Sequence, residues 1–151
     1  MWHNNCVRHG GAIYAECVHI TLTNNTLREN NASKSYHPGY GGGLYVLAKS
    51  INLTNNNILG NSGSKGGGVY TSSGYYTYAD QVLRNNTIRD NHSVYRLPGD
   101  GRGGGIYADT LLDYYSNILI EMRNNIIIDN RADTYGGGIY IDIGGIMINN
   151  Q

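Results

Sequence analysis

The feature that most constrains the fold is a recurring glycine motif, in which three glycines, or Gly-Gly-Ala in the first copy, are followed at once by an apolar residue and tyrosine. Its copies end at Tyr14, Tyr45, Tyr70, Tyr107 and Tyr140. Glycine runs carry a large backbone entropy cost and weaken strands, whereas β-branched and aromatic residues favour them. The combination therefore predicts a sharp corner that leads directly into a β-strand, repeated along the molecule.

A second motif, Asn-Asn-x-(Leu/Ile)-x-x-Asn, alternates strictly with the first. Its copies end at Asn30, Asn61, Asn91 and Asn130. The two motifs are nearly constant, whereas the segments between them vary in length, and this pattern is typical of a solenoid with loop insertions. The composition agrees, because the chain has 22 Gly, 14 Tyr and no Phe, with few strong helix formers.

Side-chain alternation indicates how the strands lie. After the glycines, Ile13 and Ala15 alternate with Tyr14, and Ile139 and Ile141 alternate with Tyr140, so the apolar residues should point inward and the tyrosines outward. A second alternating strand follows, and a third has an inward residue in each Asn motif. These inward residues are Leu27, Ile58, Ile88 and Ile127. We therefore predict an all-β, right-handed, single-stranded parallel β-helix of about five coils.

The same geometry explains the corner residues. Coils stacked about 4.8 Å apart need corner residues that accept positive φ and carry no Cβ toward the next coil. We assign this corner to Gly42, Gly67, Gly104 and Gly137. Asparagine also tolerates the left-handed conformation, and its amide can bond from coil to coil. We expect Asn30, Asn61, Asn91 and Asn130 to form one such ladder.

The pairing of Gly-Gly-Ala-Ile, at Gly10 to Ile13, with a hydrophobic-x-x-Asn motif resembles the repeats of the polymorphic outer-membrane proteins. These are autotransported β-helical adhesins with the motifs GGA(I/L/V) and FxxN. The chain departs from them because Leu or Ile stands in place of Phe and Gly usually replaces Ala. The resemblance implies an adhesin located outside the cell or at its surface. Right-handed β-helix proteins more widely, including pectate lyases and other polysaccharide-active enzymes, fit the same motifs.

Charge and patterning limit the other classes. The formal net charge is zero, which gives no electrostatic attraction for nucleic acid, and no apolar run is long enough to cross a membrane. The histidines lack metal-ligand spacing, so we expect neither a metal nor a cofactor. We expect Cys6 and Cys17 to be free or paired with sequence outside this chain. Residues 1–151 should form one domain, itself a segment of a longer solenoid.

Tyrosine supplies the candidate binding residues. The motif tyrosines Tyr14, Tyr45, Tyr70, Tyr107 and Tyr140 should form a column on one sheet, where they either stabilise neighbouring coils or bind a sugar or protein. Long insertions at residues 31–40, 71–84, 92–102 and 108–123 add more aromatic side chains. The loop residues that we assign to binding are Tyr75, Tyr76, Tyr114 and Tyr115. Loops on a rigid scaffold are where solenoids usually place binding sites.

Acidic residues supply the alternative, catalytic interpretation. Asp109 and Asp142 follow their motif tyrosines by two positions, and Asp90 and Asp129 precede the ladder asparagines. Such pairs can hold Ca²⁺, or share a proton as general acid and base, with Arg89 or Arg131 as a lyase base. Other copies of the repeat lack these acids, however, so solvated surface carboxylates explain them better, and we assign no catalytic residue.

The leading prediction for function is a non-catalytic extracellular scaffold or adhesin that presents Tyr-rich loops to a glycan or a surface protein. The alternative is a polysaccharide lyase or glycoside hydrolase of the pectate-lyase-like class. A third hypothesis is end-to-end self-association. A fold of this type hosts all three, so fold alone does not choose between them.

Overall fold

The computed structural model describes residues 1–32, 37–74, 80–110 and 118–151, and within these ranges the chain forms strands, turns and bends without a helix. The strands of the described residues are β1 (Ile13–Thr23), β2 (Thr26–Arg28), β3 (Leu44–Thr54), β4 (Asn57–Leu59), β5 (Ser62–Gly63), β6 (Val69–Ser72), β7 (Asp80–Arg84), β8 (Thr87–Arg89), β9 (His92–Ser93), β10 (Ile106–Asp109), β11 (Leu119–Arg123), β12 (Ile126–Ile128), β13 (Arg131–Ala132), β14 (Ile139–Ile141) and β15 (Gly144–Ile148). No helix in these ranges has the length and apolar character needed to cross a membrane.

All pairs between these strands are parallel, and they form three sheets. In the largest sheet β3 pairs with β1 along most of its length, its first half pairs with β6 and its second half with β7. The sheet therefore has two branches. In the first branch β6 is followed by β10 and β14, and in the second branch β7 is followed by β11 and β15. The second sheet contains β2, β4, β8 and β12, and the third contains β5, β9 and β13.

The pairing register joins each sequence motif to its next copy. Tyr45 pairs with Tyr14 on one side and with Tyr70 on the other, and Ile58 pairs with Leu27 and Ile88. We use the word repeat for the chain from one glycine motif to the next, so that equivalent residues of successive repeats stand in columns. The prediction of an all-β chain with parallel strands is confirmed, and the arrangement fits a β-solenoid.

Apolar columns fill the interior between the three sheets. Leu27, Ile58 and Ile88 of the second sheet are at most 1% exposed, and Ile127 packs against the same core while remaining half-buried. The other buried members of this core are Leu44, Val46, Ala48, Ile51, Leu53, Val69, Leu83, Ile106, Ala108, Ile120 and Met122. Burial of such side chains stabilises by about 1.5–3 kcal/mol each. The core therefore holds the repeats together and fixes the positions of the outward residues.

The first and second glycines of each motif have different structural roles. This corrects the prediction that the second glycine has positive φ. Positive φ values of 62° to 65° occur at the first glycine of each motif, namely at Gly10, Gly41, Gly66, Gly103 and Gly136. The second glycines, Gly42, Gly67, Gly104 and Gly137, were predicted to have positive φ, and this was wrong. Three of them, Gly42, Gly67 and Gly104, are small for another reason, because an added Cβ would clash with the next repeat. A Cβ on Gly67 would lie 2.4 Å from the carbonyl carbon of His92 and 2.5 Å from the oxygen of Gly104.

Asparagine forms two ladders. In the first, the backbone N–H and the Nδ2 of Asn30, Asn61 and Asn91 each donate to the Oδ1 of the next member, at 2.9–3.0 Å, and the ladder ends at Asn130. The second ladder, which sequence reasoning missed, contains Asn25, Asn56, Asn86, Asn125 and Asn150. The Asn before each member of the second ladder has positive φ. The recurring Asn-Asn pair was the available signal for both roles.

Candidate functional site

The five motif tyrosines form a continuous stack on the first branch of the largest sheet, here named the aromatic column. Neighbouring rings of Tyr14, Tyr45, Tyr70, Tyr107 and Tyr140 lie 4.8–5.5 Å apart between centroids, with interplanar angles of 1–9°. The ring faces therefore stack on one another along the column. Tyr70 and Tyr107 are 3% and 2% exposed, so the centre of the column is buried rather than open as expected.

A second layer of side chains lies over this column. It consists of the residues immediately before each glycine motif, and we name it the outer strip: His9, Tyr40, Lys65, Arg102 and Tyr135. Tyr40, Lys65, Arg102 and Tyr135 are joined in order by parallel backbone bridges. The ring of His9 stacks on Tyr45 at 4.8 Å, and that of Tyr40 stacks on Tyr70 at 5.3 Å.

The two cations of the outer strip contact aromatic rings. Lys65 Nζ lies 5.0 Å from the ring centroid of Tyr40 and 5.2 Å from that of Tyr107. Arg102 Cζ lies 5.5 Å from the Tyr135 centroid and 5.2 Å from the Tyr140 centroid. Arg102 Nη1 also donates to the Tyr140 hydroxyl at 3.2 Å. Cation–π attraction therefore connects the outer strip to the aromatic column.

One carboxylate is built into the column. The Tyr70 hydroxyl lies 2.9 and 3.0 Å from the two carboxyl oxygens of Asp109 and donates to that group. Burial raises the pKa of Asp109, and the Tyr70 hydrogen bond acts in the opposite direction. Burial, followed by the charge of Asp109, raises the pKa of Tyr70 far above its usual value. At the edge of this cluster, burial also raises the pKa of Tyr45, to about 12. Both phenols therefore remain protonated at neutral pH, and the Tyr70 hydroxyl acts as a hydrogen-bond donor.

The second pair of candidate carboxylates has a backbone role. Asp90 and Asp129 stand at corners with φ values of 57° and 54°, and Glu29 and Gly60 occupy the same corner in other repeats. Asp tolerates this left-handed conformation better than most residues. The nominated bases are also engaged, since Arg89 pairs with Asp90 at 3.0 Å and Arg131 lies 3.7 Å from Asp133.

The predicted loop tyrosines Tyr75, Tyr76, Tyr114 and Tyr115 lie outside the described residues. The segments that contain them follow β6 and β10, whose tyrosines Tyr70 and Tyr107 belong to the aromatic column. Both segments thus begin at the same end of two neighbouring strands. Sequence reasoning missed the outer strip, although its signal was simple, because each member directly precedes a glycine motif.

Other site types find little support in the described part of the chain. Within it, no group of three His, Cys, Asp or Glu side chains is arranged to hold a metal ion, and Cys6 and Cys17 are free thiols. Comparison with protein-family models, with curated proteins and with solved structures found no significant match to the chain. The resemblance to polymorphic outer-membrane proteins stays a prediction from the two motifs.

Proposed function

We propose that the chain is a right-handed parallel β-helix of about five coils that serves as a non-catalytic scaffold, an adhesin outside the cell or at its surface. In this proposal it presents Tyr-rich loops and the outer strip to a glycan or to a surface protein. The GGAI and hydrophobic-x-x-Asn motifs, with their resemblance to β-helical adhesins, support the adhesive class.

The observation that carries the proposal is the outer strip. Its aromatic and cationic side chains stand in register on successive repeats, and Tyr135 is 62% exposed. Binding surfaces are enriched in Tyr and Arg because these side chains offer large contacts together with hydrogen bonds. The Tyr-rich segments that follow β6 and β10 in the sequence are the second element of the proposal. An extended row of this kind suits an extended ligand.

The roles of the carboxylates also favour binding over catalysis. Asp109 accepts a hydrogen bond from the Tyr70 hydroxyl, and Glu16 accepts one from the Tyr14 hydroxyl at 2.9 Å. Asp90 is paired with Arg89 and occupies a corner that needs positive φ. These contacts give Asp109 and Asp90 a part in the fold that needs no substrate.

A glycan array together with a cell-surface protein array tests the proposal. Changing Tyr75, Tyr76, Tyr114 and Tyr115 together to Ala should weaken binding strongly while the melting temperature is retained, because the core consists of aliphatic residues. Trp2→Ala is the matched control, since Trp2 is an exposed aromatic residue that bridges to Arg28 beside the second sheet. Binding that survives the fourfold change would remove the loops from the proposal.

The alternative, a polysaccharide lyase or hydrolase, has one observation in its favour. Burial raises the pKa of Asp109, and the charge of nearby Asp142 raises it further, as expected for a general acid. Incubation with polysaccharides and detection of new reducing ends or unsaturated products tests this alternative. Cleavage by the wild-type protein that is lost in Asp109→Asn with Asp142→Asn would replace the scaffold proposal.

A further inference from the structure

Lys65 and Arg102 differ from most other cations of the described chain. A carboxylate oxygen lies within 3.7 Å of each of Arg28, Arg84, Arg89, Arg123 and Arg131. Arg8 and Lys49 have no such partner among the described residues, but both are exposed and hydrated. Lys65 and Arg102 are half-buried, and their nearest described partners are aromatic rings. They are partly desolvated cations that form no salt bridge with a described carboxylate.

The Arg102 guanidinium is held in place but incompletely satisfied. Its Nη1 donates to the Tyr140 hydroxyl and its plane lies near two rings, whereas its Nε is buried without a described hydrogen-bond partner. A guanidinium that is fixed before binding loses less entropy when it pairs with an anion, and its planar donors match carboxylate and sulfate oxygens. Arg102 is therefore prepared to receive an acidic group.

The two cations lie on adjacent repeats between aromatic neighbours. Lys65 and Arg102 are direct bridge partners, so their backbones are separated by about 4.8 Å, the usual spacing of paired strands. Tyr40 precedes them in the outer strip and Tyr135 follows them. The order along the strip is ring, cation, cation and ring. A sugar chain along this strip meets aromatic groups beside its apolar faces and cations beside its acidic substituents.

Neighbouring carboxylates decide which of the two cations contributes more to the binding of an anion. Lys65 lowers the pKa of Asp100 and of Asp109, although burial raises both by more, so these carboxyls lie near the Lys65 ammonium. Their negative charges offset part of the Lys65 charge. The charge of Asp142, which is exposed on the last repeat, also raises the pKa of Asp109. Arg102 should therefore contribute most to the binding of an anion, and Asp142 should oppose it.

From these contacts we propose that the outer strip selects acidic glycans, whose carboxylate or sulfate groups pair with Arg102 and Lys65 while their sugar rings lie beside Tyr40 and Tyr135. This inference rests on the proposed function and names the ligand class of the same surface. It predicts salt-sensitive binding, because exposed ion pairs are screened by dissolved ions.

Calorimetric titration of the whole chain with four polymers tests the inference: polygalacturonate as the uronate, dextran sulfate as the sulfate ester, and dextran and galactan as neutral glycans. We expect at least one acidic polymer to bind more tightly than both neutral ones. The uronate and sulfate arms show which anion is preferred. Lys65→Gln with Arg102→Gln should weaken acidic binding about tenfold or more, as expected for lost charge-assisted hydrogen bonds.

Two further variants keep the test independent of folding. Arg84→Gln removes a cation that is already paired with Glu121 on the second branch of the sheet, and it should leave affinity unchanged. Asp142→Asn removes the opposing charge and should strengthen acidic binding. Equal affinity for neutral and acidic polymers, or equal losses in Arg84→Gln and the double variant, would overturn the inference and leave the scaffold proposal standing. Failure to bind any glycan or surface protein would overturn both.

Discussion

At the scale of single residues, adjacent glycines of one motif are required for different reasons. Gly66 has a φ of +62°, a conformation that costs energy for a residue with a side chain, whereas Gly67 has no positive φ and lies against the backbone of the next repeat. Gly137 occupies the same motif position as Gly67 in the last repeat, where the nearest atom to an added Cβ would be Asn130 O at 3.3 Å. The chain thus contains a matched pair of sites that differ in the presence of a neighbouring repeat.

This pair gives the first prediction. Gly67→Ala should lower the free energy of unfolding by about 1–3 kcal/mol, because an added methyl group must displace backbone atoms. Gly137→Ala should cost clearly less, because the added Cβ meets one backbone oxygen at 3.3 Å, a tight contact that a small shift relieves. Equilibrium denaturation in urea measures both. Similar losses at the two positions would show that conformation, and not the approach of the next repeat, explains the second glycine.

At the scale of the structural elements, side-chain columns join strands that are distant in sequence. Asn61 Oδ1 accepts from the backbone N–H and the Nδ2 of Asn30, and Asn61 Nδ2 donates to Leu27 O and to Asn91 Oδ1. These bonds satisfy buried backbone groups at a corner where the strand ladder is interrupted. An unpaired buried polar group costs about 1–3 kcal/mol, so the ladders contribute to the stability of the fold.

The second prediction concerns this ladder. Asn61→Ala should destabilise the protein by about 1–3 kcal/mol or more, because donors of Asn30 and the oxygen of Leu27 lose their partners. Asn4→Ala is the control, since Asn4 is exposed and donates to Asn30 at the edge of the ladder. Thermal and urea unfolding should separate the two variants. Equal losses of stability in both variants would contradict a stabilising role for the buried part of the ladder.

The third prediction concerns pH and belongs to β7 and β11. Hydrogen bonds and charges from Arg123 and Arg84 lower the pKa of Glu121 from 4.5 to about 2. A lowered carboxyl pKa means that the stabilisation is present above the unfolded value and is lost as pH falls through the folded value. The stability difference between wild type and Glu121→Gln should therefore shrink as pH falls from about 4.5 to about 2.

Urea unfolding of both proteins across this pH range measures the difference. Asp80→Asn, on β7, controls for the loss of a surface carboxyl that has no ion pair with a described residue. The effect should be small at high salt, because the pair is exposed. A difference that is constant with pH would contradict the proposed role of the two guanidinium groups.

At the scale of the whole molecule, each repeat contacts its neighbours in a fixed register. Thr54 pairs with Arg84 and the ladder links Asn56 to Asn86, so the chain returns to an equivalent position after one repeat. Solenoids of this kind gain stability from nearest-neighbour contacts, and whole repeats can be removed without changing the rest. The hypothesis of end-to-end self-association also belongs to this scale, and sedimentation velocity over a range of concentrations tests it.

The fourth prediction follows from the register. Deletion of residues 55–84 joins Thr54 to Asn85 and should give a folded, less stable protein, because every inward residue keeps its side. Deletion of residues 55–83 leaves one extra residue and reverses the facing of the strand that follows, so this variant should not fold cooperatively. Circular dichroism and urea unfolding compare them. Equal cooperativity in both variants would contradict the importance of the register.

The sequence by itself determined the parallel all-β class, the inward residues such as Ile58 and Ile88, and the ladder that contains Asn61 and Asn91. These properties follow from local periodicity, because side-chain alternation and corner residues are set by the backbone of one repeat. Only the tertiary structure decided the rest. It placed positive φ at Gly66 instead of Gly67, turned the faces of the tyrosine rings toward one another, and laid Lys65 and Arg102 between rings. Those contacts join residues of different repeats. They depend on how the repeats stack, and this cannot be predicted from the sequence of one motif.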